Sequence, residues 1–347
     1  MPKYKNTLPP EWAEQSAVQL TFPHKGTDWR DCLDEILATY VEFADAITRH
    51  ERLIIVTPEP AEVSDLLAKK LSTEQMERVT MHRCDTNDTW ARDHGFITLT
   101  TPDGSPTLLD FRFNGWGEKF PAALDNAINR SLYDSGILTG VYEDHNDFVL
   151  EGGSIESDGH GTVLTTSCCL LAPHRNQPMT RNEIEQKLKD TLGAEQILWI
   201  EHGHLEGDDT DGHIDTLVRT APNDTLLYIY CADKDDEHYD DLRQMEEQLK
   251  TFRTVDGKPY RLLRLPMARP IYDGEERLPA TYANFLIING AVIYPTYAQA
   301  DNDAEAARVL KEAFPGREMI AIDSRTVIRQ HGSLHCCTMQ FPFTVNR

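Results

Sequence analysis

A chain of 347 residues, 40% of them apolar, is long enough to bury a sizeable core as one large domain or two ordinary ones. Its net charge of −23, from 57 acidic against 34 basic residues, argues against nucleic acid or anionic membranes as partners and favours a cationic ligand in any cleft. Apolar runs such as 53–56 and 285–288 fall far short of the roughly 20 residues of a bilayer span, so no membrane segment is expected.

The stretch from Met1 to Thr7 is polar and leads into Pro9 and Pro10 with no apolar segment, so no secretory signal and a cytoplasmic location are expected. Seven cysteines, with adjacent pairs at 168/169 and 336/337, make a poor disulfide framework, and reduced thiols are expected. Next comes the clearest helix, 30–50, where Leu33, Ile36, Leu37, Tyr40, Val41, Ala44 and Ile47 form one apolar stripe. A strand at 53–56 and a helix at 61–70 follow. Beyond them lie Trp90-Ala-Arg-Asp93-His-Gly95 with a strand at 95–100, Asn114-Gly-Trp116-Gly117 with a helix at 121–133, and a strand at 148–150 ending in Glu151-Gly-Gly153.

A strand at 161–166 precedes a helix at 182–192, whose start carries a capping-box pattern in Thr180 and Glu183. After a strand at 197–200 comes the polar run Asp208-Asp-Thr-Asp-Gly-His213-Ile-Asp215, with a strand expected over 214–220. Helices at 240–252 and 303–314 and strands at 260–265 and 319–322 lead to His331-Gly-Ser-Leu-His335-Cys336-Cys337-Thr338 and a last strand over 334–340. Helix, strand, polar turn and strand thus recur at roughly 60 residues, and a ring-like repeat would let the polar turns meet. Neither a dinucleotide fingerprint nor a phosphate-binding P-loop is present, and no low-complexity linker divides residues 1–347, so one domain is expected.

Taken singly, the polar segments have structural explanations: a bulge at Gly152/Gly153, a turn residue in Asp93, a small buried hydrophobe in Cys336. Together they match what hydrolysis of a guanidinium by a cysteine requires. Two carboxylates, Asp93 and Asp215, can each accept a pair of N–H bonds from a planar cation. Cys336 supplies a thiolate, favoured by nearby positive charge, and His213 titrates in the range needed to protonate ammonia and deprotonate water. In an extended His213-Ile-Asp215 both polar side chains would share a face, and Glu151 would hydrogen-bond His213 and fix its tautomer.

These segments resemble the W-x-R-D, N-x-W-G, E-G-G, T-x-G-H-x-D and H-C-x-T elements of the agmatine deiminases and bacterial-type peptidyl-arginine deiminases. They fall in that family's order, and Pro10-Glu-Trp12 and Thr27-Asp-Trp29 resemble its N-terminal segment. The resemblance implies an α/β fold, the pentein α/β-propeller, with five pseudo-repeated strand/helix units around a central site. It implies Cys336 rather than Cys337 as nucleophile, His213 as acid/base, Asp93, Asp215 and Glu151 as further catalytic residues, and Trp90, Trp116, Asp209 and Asn284 around the substrate. Arg92 is expected to be structural.

The implied reaction is hydrolysis of agmatine to N-carbamoylputrescine and ammonia, a step of putrescine formation, through an amidino-cysteine, with no metal or organic cofactor. Phe22 before Pro23, Thr216 after Asp215 and the short His331-Gly-Ser depart from the family pattern and bear on substrate choice more than on reaction type. Arginine within peptides is the alternative substrate. The acidic run at 208–211 favours the small dication, and Arg112 is the residue that would favour the peptide. A metal-dependent hydrolase built on His202, His204 and His213 is a more distant alternative. A homodimer is the default oligomer, because two-fold symmetry is the commonest.

Overall fold

The computed structural model describes residues 6–101 and 105–342, so the first residues of the polar N-terminal stretch lie outside the described residues. Five small sheets share one pairing scheme, an antiparallel pair whose second strand takes a parallel partner on its other side. In the first, Ala17–Thr21 pairs antiparallel with Thr338–Phe341 and parallel with Arg52–Thr57, to which Val79–Arg83 adds a fourth strand. This sheet ties the two ends of the chain together.

The second sheet comprises Ile97–Thr100, Pro106–Arg112 and Val141–Val149, and the third Ile155–Ser157, Thr162–Thr166 and Gln196–Ile200. The fourth comprises Val218–Ala221, Thr225–Tyr230 and Arg261–Pro266, and the fifth Leu286–Ile288, Ala291–Thr296 and Glu318–Asp323. A parallel neighbour needs a crossover connection, and helices supply it. These are Leu33–Thr48, the pair Ala123–Asn126 and Ile128–Asp134, then Arg181–Leu192, Tyr239–Leu249 and Ala300–Ala313.

Sequence chemistry accounts for these elements. On Leu33–Thr48 the stripe residues Ile36, Tyr40, Ala44 and Ile47 are buried in one core with Leu53 and Ile55, each large side chain contributing about 1.5–3 kcal/mol. Thr180 caps the helix Arg181–Leu192 as expected, accepting from the Glu183 N–H while Glu183 accepts from the Thr180 N–H at 2.7 Å. Among the described residues no helix is long and apolar enough to cross a membrane.

The polar motifs occupy equivalent places in the scheme. Ala91–His94, Gly152–Ser154, Ile214–Thr216 and His335–Cys337 are each a single helical turn entering the first strand of an antiparallel pair. The extended strands expected from 214 and 334 therefore begin later, at Val218 and Thr338, and His213 and Asp215 are set by a tight turn rather than by strand alternation. Ala91–His94 packs against both Gly152–Ser154 and His335–Cys337, and Gly152–Ser154 packs against Ile214–Thr216. The turns converge on one place.

Candidate active site

At that meeting point Gly153 is surrounded on three sides. A methyl group on its α-carbon would lie 2.6 Å from His213 Nδ1, 2.8 Å from Asp93 Oδ1 and 3.2 Å from Asp215 Oδ2, so only glycine lets these three groups converge. Its N–H donates to Asp93 Oδ1 at 3.0 Å, and Trp116 Nε1 donates to Asp93 Oδ2 at 2.9 Å. His213 Nδ1 stands 3.6 Å from Asp93 Oδ1. Cys336 Sγ lies 3.8 Å from Asp215 Oδ2 and 3.4 Å from Asn284 Oδ1.

Both ring nitrogens of His213 and Asp215 Oδ1 are buried without a hydrogen-bond partner. Each such group costs about 1–3 kcal/mol if left unmet, so three of them together mark a place built for a polar ligand.

A cavity of about 520 Å³ opens from Cys336 and Asp93. Trp90, Trp116, Phe113 and Phe120 line it. Trp90 and Trp116 meet edge to face at 6.3 Å, and the Trp90 ring lies so close to Gly332 that a side chain there would overlap it. Trp116 is held at a positive φ of 55° in a turn closed by Asn114 Oδ1, which accepts from the Gly117 N–H at 3.0 Å. Seven carboxylates line the cavity, Asp28, Asp88, Asp125, Asp208 and Asp209 among them, and among the described residues no lysine or arginine does.

The electrostatics follow from burial and crowding. Burial pushes Asp93 up to about 6 and Asp209 to about 6, while Asp88 and Asp125 reach about 7 for the same reason. The Cys336 thiol is pushed well up, first by burial and then by the charges of Asp215 and Asp93. For His213 burial favours the neutral ring, but Asp93, with the Cys169 thiol and Glu151 behind it, outweighs this and raises it well above the ordinary imidazole value. These shifts favour the protonated forms of both the Cys336 thiol and the His213 ring.

Cys337 turns away, buried beside Tyr40 in the core, with its thiol pushed up to about 12 by burial. Two expected roles change. Asn284, like His213 and Asp215, lies behind the cavity wall rather than in it; it is fully buried behind Cys336, where its Oδ1 accepts from the His335 and Cys336 N–H groups at 2.9 and 3.2 Å. Glu151 does not hydrogen-bond His213, because Arg175 Nε claims its carboxylate at 3.0 and 3.3 Å. It lies within 4.8 Å of a His213 ring nitrogen and acts on that ring through charge.

The sequence profile of the Porphyromonas-type peptidyl-arginine deiminases matches residues 7–342. The chain belongs to this family. A Vibrio parahaemolyticus protein provisionally named agmatine deiminase is 33% identical over 96% of each chain. A Porphyromonas gingivalis structure, provisionally an arginine deiminase, superposes with a TM-score of 0.93 at 51% identity, covering 99% of this chain and 100% of that one. The C. jejuni agmatine deiminase, solved as a cysteine-to-serine variant with substrate bound, superposes with a TM-score of 0.90 at 39% identity, covering 98% and 97%. These solved relatives share the mixed α/β fold described above.

In this family member the metal-hydrolase alternative is not assembled. His202 and His204 sit half-exposed beside Asp241, whereas His213 is fully buried elsewhere, and among the described residues the three do not form a ligand cluster. Two other groups reach ligand spacing, Glu151/Cys169/His213 and Glu11/Glu156/His335. In both, an arginine already holds the carboxylates: Arg175 on Glu151, and Arg219 on Glu11 and Glu156. Arg92 is buried and donates to the His335 carbonyl at 3.4 Å. Arg112 is exposed at the end of its strand and does not line the cavity.

Sequence reasoning missed Cys169, Arg175, Arg219 and Glu11. Glu11 and Cys169 sat in segments already noted, but no local pattern tied them, Arg175 or Arg219 to the site.

Proposed function

We propose that this chain, as one catalytic domain with its five sheets arranged in a propeller-like ring, hydrolyses agmatine to N-carbamoylputrescine and ammonia. The observation that carries this reading is the pairing of Cys336 with a cavity lined by seven carboxylates and, among the described residues, by no lysine or arginine. A dication fits such a wall. An arginine side chain in a peptide carries one charge, and its neighbouring main chain needs donors and acceptors rather than a second carboxylate cluster. The C. jejuni agmatine deiminase and the exposed position of Arg112 support the same choice.

The guanidinium sits between Asp93 and Asp215, with Trp90 and Trp116 against its faces. Its charge offsets the two carboxylates that hold the Cys336 thiol protonated, so binding substrate favours the thiolate. The thiolate adds to the central carbon, one C–N bond breaks, and protonated His213 donates to the departing nitrogen, which leaves as ammonia. The resulting amidino-cysteine keeps the alkylated nitrogen and one other. Neutral His213 then takes a proton from water, whose oxygen adds to the same carbon. The C–S bond breaks, releasing the ureido product and restoring the thiol. Asp209 and the carboxylates beyond it meet the distal ammonium.

The test is product analysis with agmatine, free arginine and an arginine-containing peptide after chelator treatment. Ureido product from agmatine alone supports the reading. Turnover of the peptide in preference to agmatine rejects the substrate assignment in favour of peptidyl-arginine.

A further inference from the structure

The segment Pro10-Glu-Trp12 has no part in the chemistry just described, yet it delivers a carboxylate to the back of the site. His335 lies between two acids: its Nδ1 is 2.7 Å from Asp215 Oδ2, and its Nε2 is 2.7 Å from Glu11 Oε2, a partner 324 positions away in the chain. Ionised carboxylates only accept, so both ring nitrogens face acceptors. Arg219 Nη2 donates to the same Glu11 oxygen at 2.6 Å, and its 3.1 Å approach to His335 Nε2 follows from two donors sharing one oxygen. The other Glu11 oxygen accepts from the Ile287 N–H at 2.7 Å, which stops the carboxylate rotating. The His335 backbone is pinned by Asn284 and Arg92.

We propose that Glu11 and His335 are positioning residues for the guanidinium clamp: Glu11 fixes the His335 ring so that Nδ1–H holds Asp215 Oδ2 and leaves Asp215 Oδ1 free for the substrate. The inference rests on the reading of Asp215 as a guanidinium ligand. Asp215 Oδ1 is the oxygen buried without a hydrogen-bond partner.

Asp215 is faced by His335 and Cys336 from one turn, His213 from its own turn, Asp93 from Ala91–His94 and Arg219 from Val218–Ala221. Burial alone would raise its carboxyl, but the His335 hydrogen bond and charge, with His213 and Arg219, outweigh burial and hold it below the usual range. For Glu11 burial likewise opposes ionisation, and His335 and Arg219 overcome it.

The experiment is steady-state kinetics with agmatine across pH on the full chain, for wild type, Glu11→Gln, His335→Asn and the double variant, with thermal melts as a check on folding. Glutamine keeps the shape and an acceptor for Arg219 while removing the charge. Glu11→Gln is expected to lower kcat/KM about 10- to 100-fold, by analogy with the loss of the outer hydrogen-bond partner of a metal-binding side chain. The loss falls on KM, with kcat nearly unchanged, and the acid limb of kcat/KM moves to higher pH because Asp215 loses part of what keeps it ionised.

The asparagine amide replaces Nδ1–H without needing Glu11, so adding Glu11→Gln to His335→Asn changes little further. An unchanged KM and acid limb in a folded Glu11→Gln variant overturns the inference, as do losses that multiply fully in the double variant. If Glu11→Gln does not fold, His335→Asn and His335→Gln decide: the Nδ1-like amide must retain the lower KM, and equal or reversed order overturns it. Wild type inactive on every guanidine substrate would instead reject the underlying reading of the site.

Discussion

Gly153→Ala adds one methyl group at the point where the clamp and the acid/base meet. The added carbon would lie 2.6 Å from His213 Nδ1, 2.8 Å from Asp93 Oδ1 and 3.2 Å from Asp215 Oδ2, all inside the ~3.5 Å of comfortable contact. The backbone there is not in the left-handed region, so alanine suits it, and the N–H that serves Asp93 is kept. Overpacking of this kind costs about 1–3 kcal/mol, and reacting groups displaced by about 1 Å lose about 100-fold in rate. The expected result is a folded protein whose kcat/KM for agmatine, read by continuous ammonia release, is about 10- to 100-fold lower. A folded Gly153→Ala variant within threefold of wild type would refute the convergence of these three groups on the substrate.

Cys336→Ser should abolish turnover, by more than about 1,000-fold, while Cys337→Ser keeps most of the rate and loses stability; ammonia assays and thermal melts of both variants separate the two. Asp93→Asn removes a charged acceptor from the clamp and should cost about 2–4 kcal/mol in kcat/KM, measurable by the same assay; near-normal kinetics would remove Asp93 from the clamp.

Asp93 and Asp209 at about 6 and Asp88 and Asp125 at about 7 are raised above unfolded carboxyl values, so the fold binds extra protons between about pH 4 and 7 and loses stability as pH rises through that window. A bound dication favours the ionised forms, so agmatine should raise the melting temperature of Cys336→Ser more at about pH 8 than at about pH 5.5. Differential scanning fluorimetry at the two pH values checks this, and an equal shift at both would contradict it.

The chemistry was more legible in the sequence than the architecture. Trp90, Asp93, Trp116, Asp209 and Cys336 are polar, aromatic or thiol interruptions of apolar sequence, and the structure gathers all five around one cavity. The amphipathic period of 33–48 and the Thr180 cap are local signals and needed no tertiary information. By contrast, the second strands of several sheets, such as Ala17–Thr21, Thr225–Tyr230 and Ala291–Thr296, passed unread. They are short and buried on both faces, so they show no alternation to distinguish them from loop or helix.

The turns at Ile214–Thr216 and His335–Cys337 looked extended because Ile214 and Thr216 are β-branched and both turns run directly into strand-like sequence, and tertiary packing overrode that preference. The motif and its two glycines bring Glu151 close to His213 as expected, but not into a hydrogen bond with it. Arg175, from a different element, takes the carboxylate instead, a pairing across 24 residues that no local pattern encodes.

The central claim is that Cys336 carries the guanidine carbon through a covalent intermediate. Acid-quenching wild type in mid-turnover with agmatine and mapping the peptides by mass spectrometry tests it directly. The account predicts an adduct of agmatine less ammonia on the peptide containing Cys336, absent from Cys336→Ser. Full ammonia release with no adduct on that peptide, or the adduct on Cys169 or Cys337, would contradict it.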